Sequence, residues 1–244
     1  MEIRWVTAFL DHPAPKHDAA VAFWAQATGC RLSHRRGAEG EFATLLPYQG
    51  DAYLRVQRVA SGAGGVHLDL HVEEVTAFAW KAVSLGAKEL HHEDELVVLT
   101  SPAGFAFCVV PWHGEATRPT PAPGVVDQVA LDISPSDYDR EGNFWADLTQ
   151  WELRHGSREE FIVLARPEGQ PLRLLLQRLV DDRPGPVTAH LDLAAGDNVH
   201  DVVVRLAELG ARALREDTHW VVMRDPGGLP FCVTSRDPVT GMLS

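Results

Sequence analysis

The chain contains few cysteines, an excess of acidic over basic residues, and no long apolar run. Three cysteines in 244 residues provide no disulfide framework, which fits a reducing compartment. The net charge of −12 argues against a nucleic-acid partner, because phosphates would be repelled. No apolar segment approaches the ~20 residues that span a bilayer, and the first twenty residues contain no signal-peptide core. We therefore expect a cytoplasmic protein without a nucleic-acid or membrane partner.

A proline-rich segment divides the sequence into two halves of similar length. Pro119, Pro121 and Pro123 lie in a stretch without apolar periodicity, which is typical of a semi-rigid linker. The apolar content of 45% is that of a globular protein, and each half is long enough to bury a core. We predict an N-terminal domain over 1–113, a linker over 114–124 and a C-terminal domain over 125–244.

The two halves repeat one another. The tetrapeptide His-Leu-Asp-Leu occurs at 67–70 and again at 190–193, and Leu-Gly-Ala occurs at 85–87 and at 209–211. The segment Ser-Pro-Ala-Gly-Phe-Ala-Phe-Cys at 101–108 returns as Asp-Pro-Gly-Gly-Leu-Pro-Phe-Cys at 225–232. The histidine precedes the cysteine by 41 residues in the first copy and by 42 in the second. Such agreement indicates a duplicated structural unit.

Alternation and helical spacing predict the same order of elements within each half, a strand and a helix followed by further strands. Glycines at 29, 86 and 210 are predicted to end helices. The matching pairs Phe23-Trp24 and Phe144-Trp145 are interpreted as core aromatics. The predicted helices cover 18–28, 75–83, 138–148 and 199–209. The predicted strands cover 4–11, 42–47, 52–59, 66–72, 96–100, 105–111, 127–133, 160–166, 171–179, 188–194, 220–224 and 229–234.

This plan and these motifs resemble the vicinal oxygen chelate superfamily, which includes glyoxalases, bleomycin-resistance proteins and dioxygenases. The resemblance implies an α+β fold of four βαβββ units that form two glyoxalase-like cupped β-barrels with helices outside and a ligand in the cup. It also implies that metal ligands in the family enzymes come from the first and fourth strands of the units. The equivalent positions here are Thr7, Gln57, His67 and Cys108 in the first half, and Gln128, Gln177, His190 and Cys232 in the second.

Strand alternation supports this placement independently. If each ligand-equivalent residue faces the cup, the neighbouring aliphatic side chains face the helices, as a half-buried strand requires. An aspartate on the first strand and an arginine on the fourth recur in both halves, which predicts an Asp11–Arg55 and an Asp132–Arg173 pair. The predicted ligand-binding residues are Thr7, Tyr53, Arg55, Gln57, His67, Asp69, His71, Cys108, Gln128, Arg173, Gln177, His190, Asp192 and Cys232.

The ligand set departs from that of the enzymes, because cysteine replaces the usual carboxylate on the eighth strand of both halves. Hard and borderline metals prefer oxygen and imidazole donors, so we expect neither a resident metal nor another cofactor. If Zn, Ni, Mn or Fe does bind, the candidate ligands are His67, Gln57, Cys108, His190, Gln177 and Cys232. The alternative role of each histidine is structural, held beside Asp69 or Asp192, and that of each cysteine is a small buried hydrophobe.

Two functions remain open. One is a binding protein of the bleomycin-resistance type that holds a small polar or cationic molecule without chemistry. The other is a metal-dependent lyase or isomerase, or a dioxygenase, or a metal-free enzyme with His67 or His190 as general base. One half could also serve only as a scaffold for the other. The expected partner is a small-molecule ligand, and the chain would act as a monomer or a homodimer.

Overall fold

The computed structural model describes residues 2–156 and 158–243, which form four helices and sixteen strands in two mixed sheets. The first repeat contributes the following elements: β1 (Trp5–Pro13), α1 (Ala14–Ala27), β2 (Arg31–Leu32), β3 (Phe42–Leu46), β4 (Leu54–Val59), β5 (Gly65–Val72), α2 (Val75–Ser84), β6 (Lys88–Glu93), β7 (Leu96–Thr100) and β8 (Ala106–Pro111). Its sheet has the order β2-β3-β4-β1-β5-β8-β7-β6. This is the arrangement of two βαβββ units that the sequence predicts.

The second repeat has the same order of elements. They are β9 (Val125–Ile133), α3 (Tyr138–Thr149), β10 (Glu152–His155), β11 (Phe161–Ala165), β12 (Arg173–Arg178), β13 (Thr188–Ala194), α4 (Val199–Glu208), β14 (Arg212–Glu216), β15 (Trp220–Arg224) and β16 (Pro230–Thr234). The sheet order is β10-β11-β12-β9-β13-β16-β15-β14, the same as in the first repeat. The α+β class and the four-unit plan are therefore confirmed.

Most predicted boundaries agree with the structure to within two residues, and α1 is the main exception. The helix begins at Ala14, four residues before the predicted start, and β1 continues to Pro13. Pro15 is compatible with this start, because N–H groups in the first turn of a helix have no intrahelical acceptor. The missing N–H of proline therefore costs no hydrogen bond there. Gly86 and Gly210, with φ of +108° and +103°, adopt the left-handed conformation predicted after α2 and α4.

Packing divides the chain into two compact units that each draw on both repeats. The first unit comprises the chain up to Ala8, His67–Thr117 and Val129–Ala189. The second comprises Phe9–Val66, Arg118–Gln128 and the chain from His190 onward. The predicted domains at 1–113 and 125–244 follow the repeat along the sequence and stay a prediction.

Each unit has an aromatic core at the predicted positions. In the first unit, the Trp145 ring lies 5.3 Å from Phe107 and 5.9 Å from Phe105, measured between centroids. In the second unit, the Trp24 ring lies 5.3 Å from Phe23 and 5.2 Å from Phe231. These rings are all almost completely buried. The core interpretation of the Phe-Trp pairs is thus confirmed.

Candidate functional site

The first candidate site is a triad formed by His67, Asp69 and Cys108, which we call the first triad. Strands β5 and β8 pair in parallel with Asp69 opposite Cys108, and His67 precedes Asp69 by two residues on the same strand face. One side-chain donor atom from each residue lies within 4.8 Å of the other two. The His67 Nε2 atom is 4.0 Å from Asp69 Oδ1. The predicted inward set on these strands therefore does come together.

The alternate residues on β5 and β8 are aliphatic or aromatic and fully buried. Leu68, Leu70 and Val72 are at most 1% exposed, as are Phe107 and Val109. On the other face, 13% of the His67 side chain is exposed and Cys108 is half-buried, whereas Asp69 and His71 are buried. The alternation predicted for these strands therefore holds.

Two further polar side chains extend this face in the first unit. Thr7 Oγ1 on β1 and His71 Nε2 on β5 share a hydrogen bond of 2.9 Å, and both residues are buried. The other imidazole nitrogen, His71 Nδ1, lies 4.0 Å from the half-buried Glu115 carboxylate. The first triad therefore continues into a row of titratable groups along β5.

The second candidate site, which we call the second triad, repeats this geometry with His190, Asp192 and Cys232. Asp192 pairs with Cys232 across the parallel strands β13 and β16. The donor atoms again lie within 4.8 Å of one another. The His190 Nε2 atom is 3.4 Å from Asp192 Oδ1, which is closer than in the first triad.

The second triad differs in the groups that surround its carboxylate. Gln128 on β9 donates an amide N–H to Asp192 Oδ2. Arg236, four residues after Cys232, donates from Nη1 to the same oxygen at 3.4 Å. The guanidinium also contacts both carboxylate oxygens of Asp127. All these side chains are buried, with Asp127 at 0% and Arg236 at 7% exposure.

The opposite charges in this network favour the ionised form of one another. Burial opposes ionisation of Asp192, but the hydrogen bond from His190, the charges of His190 and Arg236, and the Gln128 amide hold its pKa below the ordinary value. Burial likewise disfavours the charged form of Arg236, and the two carboxylates outweigh it and raise the pKa of the guanidinium. The second triad is therefore part of a buried ionic network that is balanced from within the chain.

Four predicted site residues lie on β4 and β12, the fourth strands of the two repeats. Arg55 and Gln57 on β4, and Arg173 and Gln177 on β12, are half-buried and alternate with fully buried leucines and valines. The Arg55 guanidinium lies over the Phe9 ring, 5.6 Å from its centroid. The Asp11–Arg55 and Asp132–Arg173 pairs stay predictions.

Tyr53 has a different setting from the predicted cup. It is buried, and its hydroxyl donates to the Val126 carbonyl at 2.8 Å. It lines a cavity of about 310 Å³ whose wall also contains Cys30 and the largely exposed Tyr48. None of the triad residues lines this cavity.

Sequence reasoning did not identify Asp127 or Arg236 as site residues. Alternation does not single out Asp127, because with Gln128 in the cup it falls on the opposite face of β9, whose other residues are apolar. Arg236 follows the end of β16, where strand periodicity no longer applies. The available signal was the repeat itself, because the residue four after the cysteine is Trp112 in the first copy and an arginine in the second.

The two triads differ in how well they fit a metal ion. Two ligands of one tetrahedral zinc ion, each about 2.0–2.1 Å from it, lie about 3.4 Å apart. The second triad has this spacing, but Arg236 and Gln128 already bind its carboxylate. The first triad offers imidazole, carboxylate and thiolate donors that suit zinc, although its His67–Asp69 spacing is wider. The two triads therefore share the same donor chemistry, and the second fails to fit a metal because Arg236 and Gln128 already hold its carboxylate.

Comparison with known proteins agrees with this fold. A sequence profile described as a glyoxalase-like domain matches residues 7–110 and again residues 128–234. No curated protein sequence matches the chain significantly. No helix in the described parts of the chain is long and apolar enough to span a membrane.

Several solved structures share the fold at low sequence identity. A Mn(II)-bound glyoxalase from Novosphingobium aromaticivorans is 17% identical with a TM-score of 0.66, over 100% of this chain and 86% of that one. A mutant of 4-hydroxymandelate synthase from Streptomyces coelicolor is 14% identical with a TM-score of 0.62, over 98% and 96%. A 2,2',3-trihydroxybiphenyl 1,2-dioxygenase from Sphingomonas wittichii is 11% identical with a TM-score of 0.63, over 96% and 90%. The glyoxalase-like repeats and the tandem vicinal-oxygen-chelate arrangement are thereby confirmed.

Proposed function

The chain belongs to the glyoxalase-like domain family, and on that premise we propose that it binds a small polar molecule at the first triad without a complete catalytic metal site. The observation that carries this proposal is the convergence of His67, Asp69 and Cys108 on one polar strand face. The Thr7–His71 pair adds two further hydrogen-bonding groups in the same compact unit. A few convergent polar groups in a fold otherwise lined by apolar side chains are typical of a small-molecule site.

The ligand we propose carries hydrogen-bond donors and, in the favoured case, a positive charge. Asp69 is an acceptor when ionised, and a neutral His67 offers one donor and one acceptor nitrogen. The net charge of −12 favours the approach of cations over anions. An ammonium or hydroxyl group of the ligand would therefore be held near Asp69.

The second triad has a supporting role in this proposal. Its carboxylate is bound by Arg236 and Gln128, and the whole network is buried. A ligand would have to displace these internal contacts before it could reach Asp192. We therefore assign the second triad to the scaffold of the fold.

The donor chemistry of the first triad favours a second candidate, a metal-dependent lyase or isomerase, or a dioxygenase. His67, Asp69 and Cys108 would hold the ion, and three protein ligands leave a position open for substrate, as in catalytic zinc sites. A bound ion of this kind would polarise a substrate oxygen as a Lewis acid. The thiolate departs from the two-histidine, one-carboxylate set of non-haem iron dioxygenases, so zinc suits this donor set better than iron.

Metal analysis combined with ligand-induced thermal shifts separates the two candidates. We expect less than about 0.1 metal ion per chain in the purified protein, and a rise in Tm with polyamines or other small organic cations. The shift should disappear in His67→Gln and persist in the matched variant His190→Gln. One equivalent of zinc that is lost in His67→Gln alone would overturn the metal-free proposal in favour of the enzyme. A thermal shift that His67→Gln leaves unchanged would overturn the placement of the ligand.

A further inference from the structure

We propose that Arg236 is the built-in cation of the second triad, and that this residue excludes divalent metal ions from His190, Asp192 and Cys232. The residue at position 236 would then determine whether this triad is closed by a guanidinium or open to a metal. The inference goes beyond the proposed function, which concerns a ligand at the first triad.

The geometry places the guanidinium where it competes directly with a metal. Arg236 Nη1 donates to Asp192 Oδ2 at 3.4 Å, and Gln128 donates to the same oxygen. The other carboxylate oxygen, Asp192 Oδ1, lies 3.4 Å from His190 Nε2. A metal ion on Asp192 would therefore lie within a few ångströms of a fixed positive charge, in a region that water does not screen.

The guanidinium is itself held in place by a second carboxylate. Its Nη2 and Nε atoms both donate to Asp127, which is completely buried. A two-point contact of this kind fixes the plane of the guanidinium as well as its position. Arg236 cannot swing away to admit an ion without leaving Asp127 as a buried charge that has lost this partner.

The donor set around Arg236 is otherwise that of a metal site. Imidazole, carboxylate and thiolate are all zinc ligands, and the His190–Asp192 spacing equals the ~3.4 Å expected between two ligands of one tetrahedral ion. Charge, rather than ligand type or spacing, is what excludes the metal. Removal of the guanidinium should therefore convert this triad into a metal site.

Cobalt(II) titration tests the inference directly, because a thiolate bound to cobalt gives a near-ultraviolet charge-transfer band. All proteins would carry Cys30→Ala and Cys108→Ala, so that the band reports on Cys232 at the triad. We expect no saturable band in this parent and a band that saturates at one equivalent in the added variant Arg236→Met. Binding should be at least 100-fold tighter than in the parent, and Cys232→Ala should abolish it. Arg236→Lys, which keeps the charge, should behave like the parent.

A second variant keeps the test informative in case the Arg236→Met protein does not fold. Arg236→Met leaves two buried carboxylates without their guanidinium, whereas Asp127→Asn combined with Arg236→Met removes one of those charges. Cobalt should produce the same thiolate band in the double variant. The inference is overturned if the parent binds cobalt at this triad as tightly as the two variants that carry Arg236→Met, or if neither of those two variants shows a band. The thermal shift at His67 is measured separately in the wild-type protein, so the two proposals fail separately.

Discussion

Trp24 and Trp145 occupy the same position in the two repeats, and each donates its indole N–H to a buried carboxylate. In the second compact unit the acceptor is Asp225, which lies in the turn before β16. In the first compact unit the acceptor is Glu141, which lies on α3, the same helix as Trp145. Both repeats thus make a hydrogen bond between a helix tryptophan and a carboxylate. In one the carboxylate belongs to the turn that faces the helix, and in the other it belongs to the helix itself.

The surrounding residues have changed together with the acid. In the second repeat, Asp225 Oδ1 accepts a hydrogen bond from the Leu229 N–H. In the first repeat the equivalent residue is Ser101, and its hydroxyl accepts a hydrogen bond from the Phe105 N–H. Asp225 Oδ2 also forms a hydrogen bond of 2.8 Å with Nε2 of the buried His12. The position of His12 corresponds to an isoleucine in the second repeat, at 133. The aspartate therefore has a histidine partner that Glu141 lacks.

This difference accompanies opposite shifts in the pKa values of the two acids. Burial raises the pKa of Glu141 and outweighs the hydrogen bonds from Ala103, Ser101 and Trp145. Burial acts in the same direction on Asp225, but the hydrogen bond and charge of His12, together with the Trp24 indole, lower its pKa below the ordinary value. A duplicated contact can therefore be kept while the pKa of its acid is shifted in opposite directions.

The largest expected effect comes from Asp225→Asn. The amide would turn an N–H towards one of the three groups that now donate to the carboxylate, which come from His12, Trp24 and Leu229. We expect a loss of about 2–4 kcal/mol in the free energy of unfolding at pH 7, measured by urea denaturation.

The matched control is Ser101→Ala, which removes the hydroxyl at the equivalent position of the first repeat. It should cost about 1 kcal/mol, because Phe105 loses one hydrogen bond while Glu141 keeps the Ala103 and Trp145 donors. Equal losses in the two variants would contradict the view that Asp225 is the centre of an ionic cluster.

A smaller effect is expected from Gly227→Ala, in the turn that His12 contacts. The first repeat has Ala103 at this position. In the second, a Cβ atom on Gly227 would clash with Cδ2 of the buried His12 ring. The substitution should therefore cost about 1–3 kcal/mol through overpacking, again measured by urea denaturation.

The double variant His12→Ala with Gly227→Ala tests the cause. If the clash with the ring is responsible, Gly227→Ala should cost much less in a His12→Ala background than in the wild type, which a double-mutant cycle measures. A full cost in both backgrounds would attribute the loss to the backbone of the turn instead.

The sequence predicted the repeat, the strand faces and the aromatic core, because each depends on short-range periodicity or on direct self-comparison. It did not predict strands β2, β6, β10 and β14, whose residues are all exposed and therefore show no apolar alternation. It also missed the pairing of His12 with Asp225, which are 213 residues apart. Such contacts depend on which elements pack together, and the two compact units combine parts of both repeats.

The same limit applies to the candidate site. His67, Asp69 and Cys108 could be placed on one face from alternation and the repeat. The role of Arg236 could not, because its function depends on the two carboxylates that it contacts in space. Substitutions between copies of a repeat are the sequence signal closest to such contacts, as the Trp112–Arg236 difference illustrates.

The smallest expected effect is a difference in pH dependence between the two acids. The folded pKa of Glu141 is raised, so its contribution to stability is complete below the unfolded value of 4.5 and is lost as the pH rises through the folded pKa. The folded pKa of Asp225 is lowered, so its contribution is present above 3.8 and is lost as the pH falls through the folded pKa. The stability advantage of wild type over Glu141→Gln should therefore shrink as the pH is raised from 4 to 8. The advantage over Asp225→Asn should instead shrink as the pH is lowered from 5 through the folded pKa. Urea denaturation across these pH ranges measures both differences, and slopes of the same sign would show that the two carboxylates are electrostatically alike.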